Sequence, residues 1–106
     1  MNITSALVKR AISEASKSPC RFRVAALGFS RKGDLIGSAH NKHRFNHRGG
    51  GYHAEIELLK RLGSKIKTIL ICRIGYGGRL LPIESCPNCR AVAEKLGIRI
   101  CTIEQE

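Results

Sequence analysis

The run of residues 66–74 constrains the fold of this chain more than any other segment. It is apolar and mostly β-branched, a composition typical of a β-strand that is buried on both of its faces. Because such a strand is covered on each side, the sequence predicts an α/β protein with helices around a central sheet. The chain has 106 residues, which predicts a single domain spanning residues 1–106.

Three other segments have the apolar spacing of amphipathic helices. Apolar residues recur at helical intervals over residues 3–17, and Pro19 ends that pattern because the residue before a proline is disfavoured in a helix. A second helix is expected over residues 53–62, where Gly63 stops it. Residues 87–97 predict a third helix, with a proline in its first turn.

Four predicted strands complete the pattern. The turn residues Lys32-Gly33-Asp34 predict a hairpin between the first two strands. Residues 41–51 and 75–82 lack periodicity and are rich in glycine, so we expect loops there. The predicted strands are residues 22–29, 35–39, 66–74 and 98–103. The element order αββαβαβ predicts a three-layer sandwich with a four-stranded sheet.

The charge balance limits the partners of such a domain. Nineteen Lys and Arg residues against eight Asp and Glu residues give a net charge of +11, which favours phosphorylated partners, either nucleotides or nucleic acid. A basic surface without a specific partner is the alternative. No apolar run approaches the ~18 residues of a membrane span, and the first residues lack the pattern of a secretory signal. The sequence therefore predicts a cytoplasmic protein without a membrane partner.

The chain contains five cysteines, an odd number. Without a secretory context, a complete disulfide framework is not expected. Reduced thiols or a metal site are the better interpretation.

Two short motifs carry chemistry, and each stands at the predicted start of a helix. They are His53-Ala54-Glu55 and Cys86-Pro87-Asn88-Cys89. One imidazole and two thiolates make three zinc ligands and leave the fourth position for water, as in catalytic zinc sites. One helical turn separates Cys86 from Cys89, so both sulfurs face the same way, and the helix N-terminus stabilises their thiolate forms.

Glu55 stands two residues beyond the histidine ligand. Zinc lowers the pKa of its bound water from about 15.7 to about 7. A carboxylate at this position would take the proton of the water and deliver it to a ring nitrogen and a leaving amine. The two motifs together favour one catalytic zinc ion per chain.

Two other interpretations of the cysteine motif stay open. A CxxC pair at a helix start is also typical of redox proteins, although in those proteins most of the fold follows the motif, whereas here it lies close to the end of the chain. A closed structural zinc site would need a fourth protein ligand, for which Cys72 or Cys101 is available.

The HxE and CxxC motifs, on two helices that flank a buried strand, resemble the signature of the cytidine/deoxycytidylate deaminase superfamily. Three further segments are similar to members of this superfamily. The segment FRVAAL resembles the first strand of nucleoside cytidine deaminases, and the segment GSAHN resembles the end of their second strand. Cys89-Arg90 and the downstream segment LGI resemble the end of the fold in deoxycytidylate deaminases.

This resemblance implies a cytidine-deaminase-like fold and a set of site residues. Its zinc ligands would be His53, Cys86 and Cys89, with Glu55 as the proton shuttle. The implied substrate contacts are the backbone at Ala54 and near Glu84 and Ser85 for the pyrimidine, Asn41 for the sugar and Phe22 for the base.

The chain departs from the superfamily pattern in three places. Ser85 stands before Cys86, where members usually have proline. Histidine as the first ligand fits the nucleotide and polynucleotide branches better than the tetrameric nucleoside enzymes. The chain also ends after its last predicted strand, where members commonly continue, and the exposed sheet edge that results favours a homo-oligomer.

The basic segment 42–48 precedes the HxE motif and bears on the substrate. Its cations Lys42, Arg44 and Arg48 are expected to meet a phosphate. We expect the nearby histidines to contact phosphate or solvent rather than a metal, and two aromatic residues to stack on flanking bases. The histidines are His40, His43 and His47, and the aromatic residues are Phe45 and Tyr52.

The sequence therefore predicts a zinc-dependent hydrolase that converts cytosine to uracil in a small-molecule nucleotide of the CMP or dCMP type. The first alternative is the same reaction on single-stranded DNA or RNA, whose bases are already unpaired. The second is a basic nucleic-acid-binding module with a structural zinc.

Overall fold

The computed structural model describes residues 3–42, 53–83 and 87–103, with the exception of the Tyr76 side chain. Within these ranges it contains three α-helices, five β-strands and two 3₁₀ turns, at Gly63–Lys65 and Tyr76–Gly78. The helices are α1 (Ser5–Ala15), α2 (Ala54–Leu62) and α3 (Pro87–Lys95). The strands are β1 (Arg23–Phe29), β2 (Leu35–His40), β3 (Thr68–Ile74), β4 (Leu80–Leu81) and β5 (Arg99–Thr102). The predicted α/β class is confirmed, and the predicted helices and strands occur in the predicted order, with one additional strand, β4, between β3 and α3.

The strand β3 lies at the centre of the sheet, as its composition predicted. It pairs antiparallel with β1 along its whole length, and β1 pairs antiparallel with β2. On its other edge β3 pairs with two short strands. The strand β5 runs parallel to residues 68–71 of β3, and β4 runs antiparallel to residues 73–74.

The strand β4 lies in a segment that was predicted to be a loop. The backbone of Gly77 and Gly78 has positive φ angles of 75° and 77°, and the Gly75 amide donates to the Arg79 carbonyl at 2.9 Å. These features turn the chain back onto the end of β3. Two residues are too few to show an alternating pattern, which is why the sequence predicted four strands and the sheet has five.

Alternate residues of β3 face opposite layers, and this creates two separate hydrophobic cores. Ile69 and Ile71 pack with buried residues of α2 and α3. Leu70, Cys72 and Ile74 pack with buried residues of α1. The predicted three-layer sandwich, with one helix on one face and two on the other, is therefore confirmed.

A glycine allows α2 to approach the sheet closely. A Cβ atom at Gly37 in β2 would lie 2.5 Å from the Leu62 Cδ1 atom of α2, a separation that real side chains do not reach. The absence of a side chain at Gly37 therefore lets the last turn of α2 rest on β2.

The chain direction brings several termini to one end of the sheet, which we call the carboxyl end of β3. The helix α3 connects the parallel strands β3 and β5, so it runs opposite to them and begins at this end. The helix α2 is joined to the start of β3 by a short turn, so it also begins at the carboxyl end of β3. The start of β1 and the end of β2 lie there too, since Arg23 pairs with Ile74 and Ala25 with His40. Among the described helices, none has the length and apolar character to cross a bilayer.

Candidate active site

His53 and Cys89 occupy the first turns of the two helices that begin at the carboxyl end of β3. His53 is the N-cap residue of α2, with an extended backbone, and its side chain makes no capping hydrogen bond. Cys89 is the third residue of α3 and is only 1% exposed. Because the imidazole is not used as a cap, it is available to a ligand.

The two side chains meet at a distance that suits a shared metal ion. The His53 Nδ1 atom and the Cys89 Sγ atom are 3.5 Å apart. Zinc binds imidazole nitrogen at ~2.0 Å and thiolate sulfur at ~2.3 Å, so two such ligands in a tetrahedral site stand about 3.5 Å from each other. An imidazole and a thiolate are also the donor types that zinc prefers. The residues present therefore fit zinc.

Glu55 completes a compact group with these two residues. The ligand atoms of His53, Glu55 and Cys89 all lie within 4.8 Å of one another. Glu55 is 4% exposed and lies in the first turn of α2, where the helix dipole stabilises a carboxylate. No donor from the described residues is hydrogen-bonded to this carboxylate. Within the described ranges, the carboxylate can therefore accept a hydrogen bond from a group bound beside it.

Several predicted site residues lie outside the described ranges. These are Cys86, Glu84, Ser85, Arg44 and Arg48, together with His43, Phe45, His47 and Tyr52. Their roles stay predictions. Of the predicted metal and proton-transfer residues, the structure brings together His53, Glu55 and Cys89, and it places buried Ala54 as the first residue of α2 between the two motif positions.

The structure argues against the closed zinc site considered from the sequence. Cys72 and Cys101 pack in the core beneath α1, on the opposite face of the sheet from His53 and Cys89. Burial raises the pKa of Cys72 to about 11, with a small opposing effect from a hydrogen bond to the Ala25 backbone. Neither thiol is placed to complete a metal site with His53 and Cys89.

Asn41 is already engaged within the protein. Its side-chain oxygen accepts hydrogen bonds from Ser18 Oγ at 2.6 Å and from the Val24 amide at 2.9 Å. Its Nδ2 atom donates to the Phe22 carbonyl at 2.6 Å. Asn41 therefore fixes the end of β2 against the start of β1, and the predicted sugar contact, which would use the second Nδ2 hydrogen, stays a prediction.

Phe22 lies at the same end of the sheet and is 56% exposed. The guanidinium carbon of Arg73 stands 4.4 Å from the centre of the Phe22 ring, a cation–π contact. Arg73 is not among the site residues predicted from the sequence. The available signal was a cation near the end of a run that is otherwise predicted to be buried.

His40 has a different environment from the one predicted. It was expected to contact phosphate or solvent, but β2 extends through His40 and the imidazole turns toward α1. Its Nδ1 atom lies 2.6 Å from Glu14 Oε2, and Ser38 Oγ donates to Glu14 Oε1 at 2.7 Å. Ser38 and His40 share a face because side chains alternate along a strand. One ring nitrogen of His40 is thus engaged by Glu14, while the side chain stays 21% exposed, and its contact with phosphate or solvent stays a prediction.

Lys42 is the one cation of the basic segment within the described ranges. Its Nζ atom is 3.4 Å from Glu57 Oε1 of α2. This pair ties the end of β2 to the helix that carries the HxE motif.

Comparisons with known proteins agree with this arrangement. No protein-family model and no curated protein sequence matches the chain. Among solved structures, cytidine deaminase from Mycobacterium leprae superposes with a TM-score of 0.67 at 21% identity, over 95% of this chain and 89% of the other. Cytidine deaminase from Mycobacterium tuberculosis gives a TM-score of 0.67 at 18% identity, over 97% of this chain and 86% of the other. The resemblance seen in the two motifs is thus confirmed in the architecture, and the chain has the cytidine deaminase fold.

Proposed function

We propose that the protein is a zinc-dependent hydrolytic deaminase that converts cytosine to uracil in a nucleotide substrate. One observation carries this proposal. His53, Glu55 and Cys89 lie within 4.8 Å of one another at the starts of two adjacent helices, in a chain with the cytidine deaminase fold.

His53, Cys89 and Cys86 would hold the zinc ion. Zinc in such a site lowers the pKa of a bound water to near 7. Three protein ligands leave a position for water, and the fourth-ligand candidates Cys72 and Cys101 lie on the other face of the sheet. This placement favours a catalytic site over a closed structural one.

Glu55 would move the protons of the reaction. Water adds at C4 of cytosine and ammonia leaves, so one proton must reach the ring nitrogen N3 and another the departing amine. A carboxylate that is buried beside the ligands has the position to carry both protons. The Ala54 amide stands at the N-terminus of α2, where backbone N–H groups lack partners within the helix, and would donate to the pyrimidine carbonyl.

A nucleotide is the favoured substrate because the chain carries a net charge of +11 and because arginines gather near Phe22 at the site end of the sheet. Phe22 would pack on the base, Asn41 would bind the sugar, and Arg44 and Arg48 would contribute to phosphate binding. The same chemistry on single-stranded nucleic acid is the second candidate, favoured by the total charge alone. A homo-oligomer and a cytoplasmic location stay predictions.

The test is an ammonia-release assay on zinc-loaded protein with cytidine, CMP, dCMP and cytosine-containing single strands, at two salt concentrations. We expect turnover of CMP or dCMP and about one zinc ion per chain by elemental analysis. Chelated protein serves as the control and should be inactive until zinc is restored. Turnover confined to single strands, with binding that weakens steeply as salt rises, would favour the second candidate. The absence of ammonia from every substrate would refute the deaminase.

A further inference from the structure

An open cleft of about 460 Å³ lies at the carboxyl end of β3, the end at which α2 and α3 begin. Its size falls within the range of small-molecule sites, about 300–1,000 Å³. Its described lining includes Arg21, Phe22, Arg23, Arg73, Gly75 and Leu81. Three of these residues are arginines, and none of the described lining residues is acidic.

The three arginines differ in what they already bind. Arg23 donates to the Gly75 carbonyl and so closes one side of the cleft. Arg21 is exposed on the segment that leads into β1. Arg73 projects from β3 and lies over the Phe22 ring. Because the ring restrains the guanidinium, Arg73 loses little freedom on binding a ligand.

Arg73 also lacks a hydrogen-bond acceptor that its environment calls for. Its Nε atom is buried, and within the described ranges no partner accepts from it. No ion pair joins Arg73 to a carboxylate in those ranges. Buried polar groups are nearly always paired. Arg73 as a whole is only partly buried and lines the cleft, so an anion that enters the cleft can supply an acceptor to the guanidinium.

The alternation of β3 places Arg73 on the face that carries the proposed active site. Arg73 follows Ile69 and Ile71, which pack beneath α2 and α3. Phe22, the residue proposed to pack on the base, contacts it directly. A ligand whose base lies on Phe22 therefore has its remaining groups close to the guanidinium.

We infer that Arg73, held over Phe22, binds the phosphate of the substrate and makes the site selective for a mononucleotide over a nucleoside. The inference rests on the proposed function, because Phe22 as the base platform belongs to it. Arg73 acts here as a binding residue and takes no part in proton transfer. A guanidinium suits this role because it forms paired, charge-assisted hydrogen bonds with phosphate oxygens. A cleft of this size favours a terminal phosphate over a continuous strand.

The experiment compares wild type with R73Q and uses R79Q as the matched control. Arg79 is an exposed arginine just beyond β3 that is absent from the described cleft lining, so R79Q removes the same charge from the same end of the sheet. For each protein, kcat/KM is measured by ammonia release for CMP and for cytidine. The dissociation constants of both compounds are measured by calorimetry on the inactive E55Q background.

In wild type we expect CMP to be preferred over cytidine in both measurements. R73Q should lower the ratio of the CMP value to the cytidine value by about 10- to 100-fold, the range for one charged hydrogen-bonding partner. R79Q should leave that ratio within about 2-fold of wild type. R73K keeps the positive charge but lacks the planar guanidinium with its paired N–H donors, so its ratio of the CMP value to the cytidine value should be intermediate.

An equal loss for CMP and cytidine in R73Q, or an equal ratio change in R79Q, would overturn the inference while leaving the deaminase intact. If R73Q does not fold, an unchanged ratio in R73K overturns it instead. The two proposals fail separately. A wild type that binds CMP through Arg73 but releases no ammonia keeps the phosphate site and removes the deaminase. A wild type that binds neither compound removes both.

Discussion

Among the described residues, two glutamates are buried, on opposite faces of the sheet, and their surroundings differ. Glu14 of α1 is 7% exposed and Glu55 of α2 is 4% exposed. Glu14 accepts from Ser38 and His40 and lies 3.6 Å from Lys17 Nζ. Glu55 has no such donor among the described residues, and instead stands beside His53 and Cys89.

The contrast separates a carboxylate that is paired within the fold from the one proposed to move protons. Burial alone raises the pKa of Glu14, but the hydrogen bonds from His40 and Ser38 and the charge of Lys17 outweigh it, so the pKa lies below its usual value of 4.5. Glu14 is therefore fixed as an anion by its own chain. Glu55 is also buried but has no hydrogen-bond donor among the described residues, so its neighbours there are the side chains of His53 and Cys89.

The largest expected effect is on turnover. E55Q should lower kcat by about 10²–10⁴-fold, the size of a lost general acid–base contribution, and should retain zinc and the fold. E14Q carries the same chemical change on the other face and should keep kcat within a few-fold of wild type at temperatures where it is folded. Ammonia release and zinc content of both variants give the comparison. Near-normal turnover in E55Q, or loss of its zinc, would contradict the role given to Glu55.

The next effect distinguishes the thiols of the two faces. C89S should lose most of the bound zinc, because it removes a ligand 3.5 Å from the His53 Nδ1 atom. The loss should also lower the melting temperature, since metal that binds only the folded state stabilises it. C101S, beneath α1, should keep its zinc. Elemental analysis and thermal unfolding with and without a chelator test this, and equal zinc loss in both variants would count against the site.

The smallest effect is on stability and its dependence on pH. E14Q should reduce the free energy of unfolding by about 1–3 kcal/mol at pH 7, because it weakens hydrogen bonds to a charged group. The folded state lowers the pKa of Glu14 below 4.5, so the contribution of Glu14 is present above pH 4.5 and is lost as the pH falls through the lowered value. Urea unfolding of wild type and E14Q should therefore differ most at pH 7, and the difference should shrink as the pH falls below 4.5. A difference that stays constant between these pH values would argue against this account.

The sequence predicted what depends on local pattern. The apolar run of β3, the helix-start positions of His53 and Cys89, and the turn at Gly33 all follow from spacing within a few residues. The contact of Arg73 with Phe22 depends on the pairing of β1 with β3, whose register sets Arg73 opposite Val24. The spacing of residues within one segment cannot predict the register between two strands. The pairing of Glu14 with His40 likewise needs α1 to lie over β2. The strand was predicted to end at residue 39, but it includes His40, and the alternation of the strand therefore sets the direction of the His40 side chain.

The shared edge of β3 has a consequence for how this fold tolerates change. The strands β4 and β5 hydrogen-bond to separate halves of that edge. The segment that connects them, which includes α3, therefore starts and ends beside the same strand, β3. Each end of this connecting segment is held by the pairing of β4 or β5 with β3, and lengthening a loop costs little entropy. Insertions between residues 82 and 87, or beyond Lys95, would therefore alter the surface around α3, which carries Cys89, without shifting the register of the sheet. Of the elements that surround the proposed site, the segment between β4 and β5 is therefore the one in which we expect changes of substrate preference to disturb the fold least.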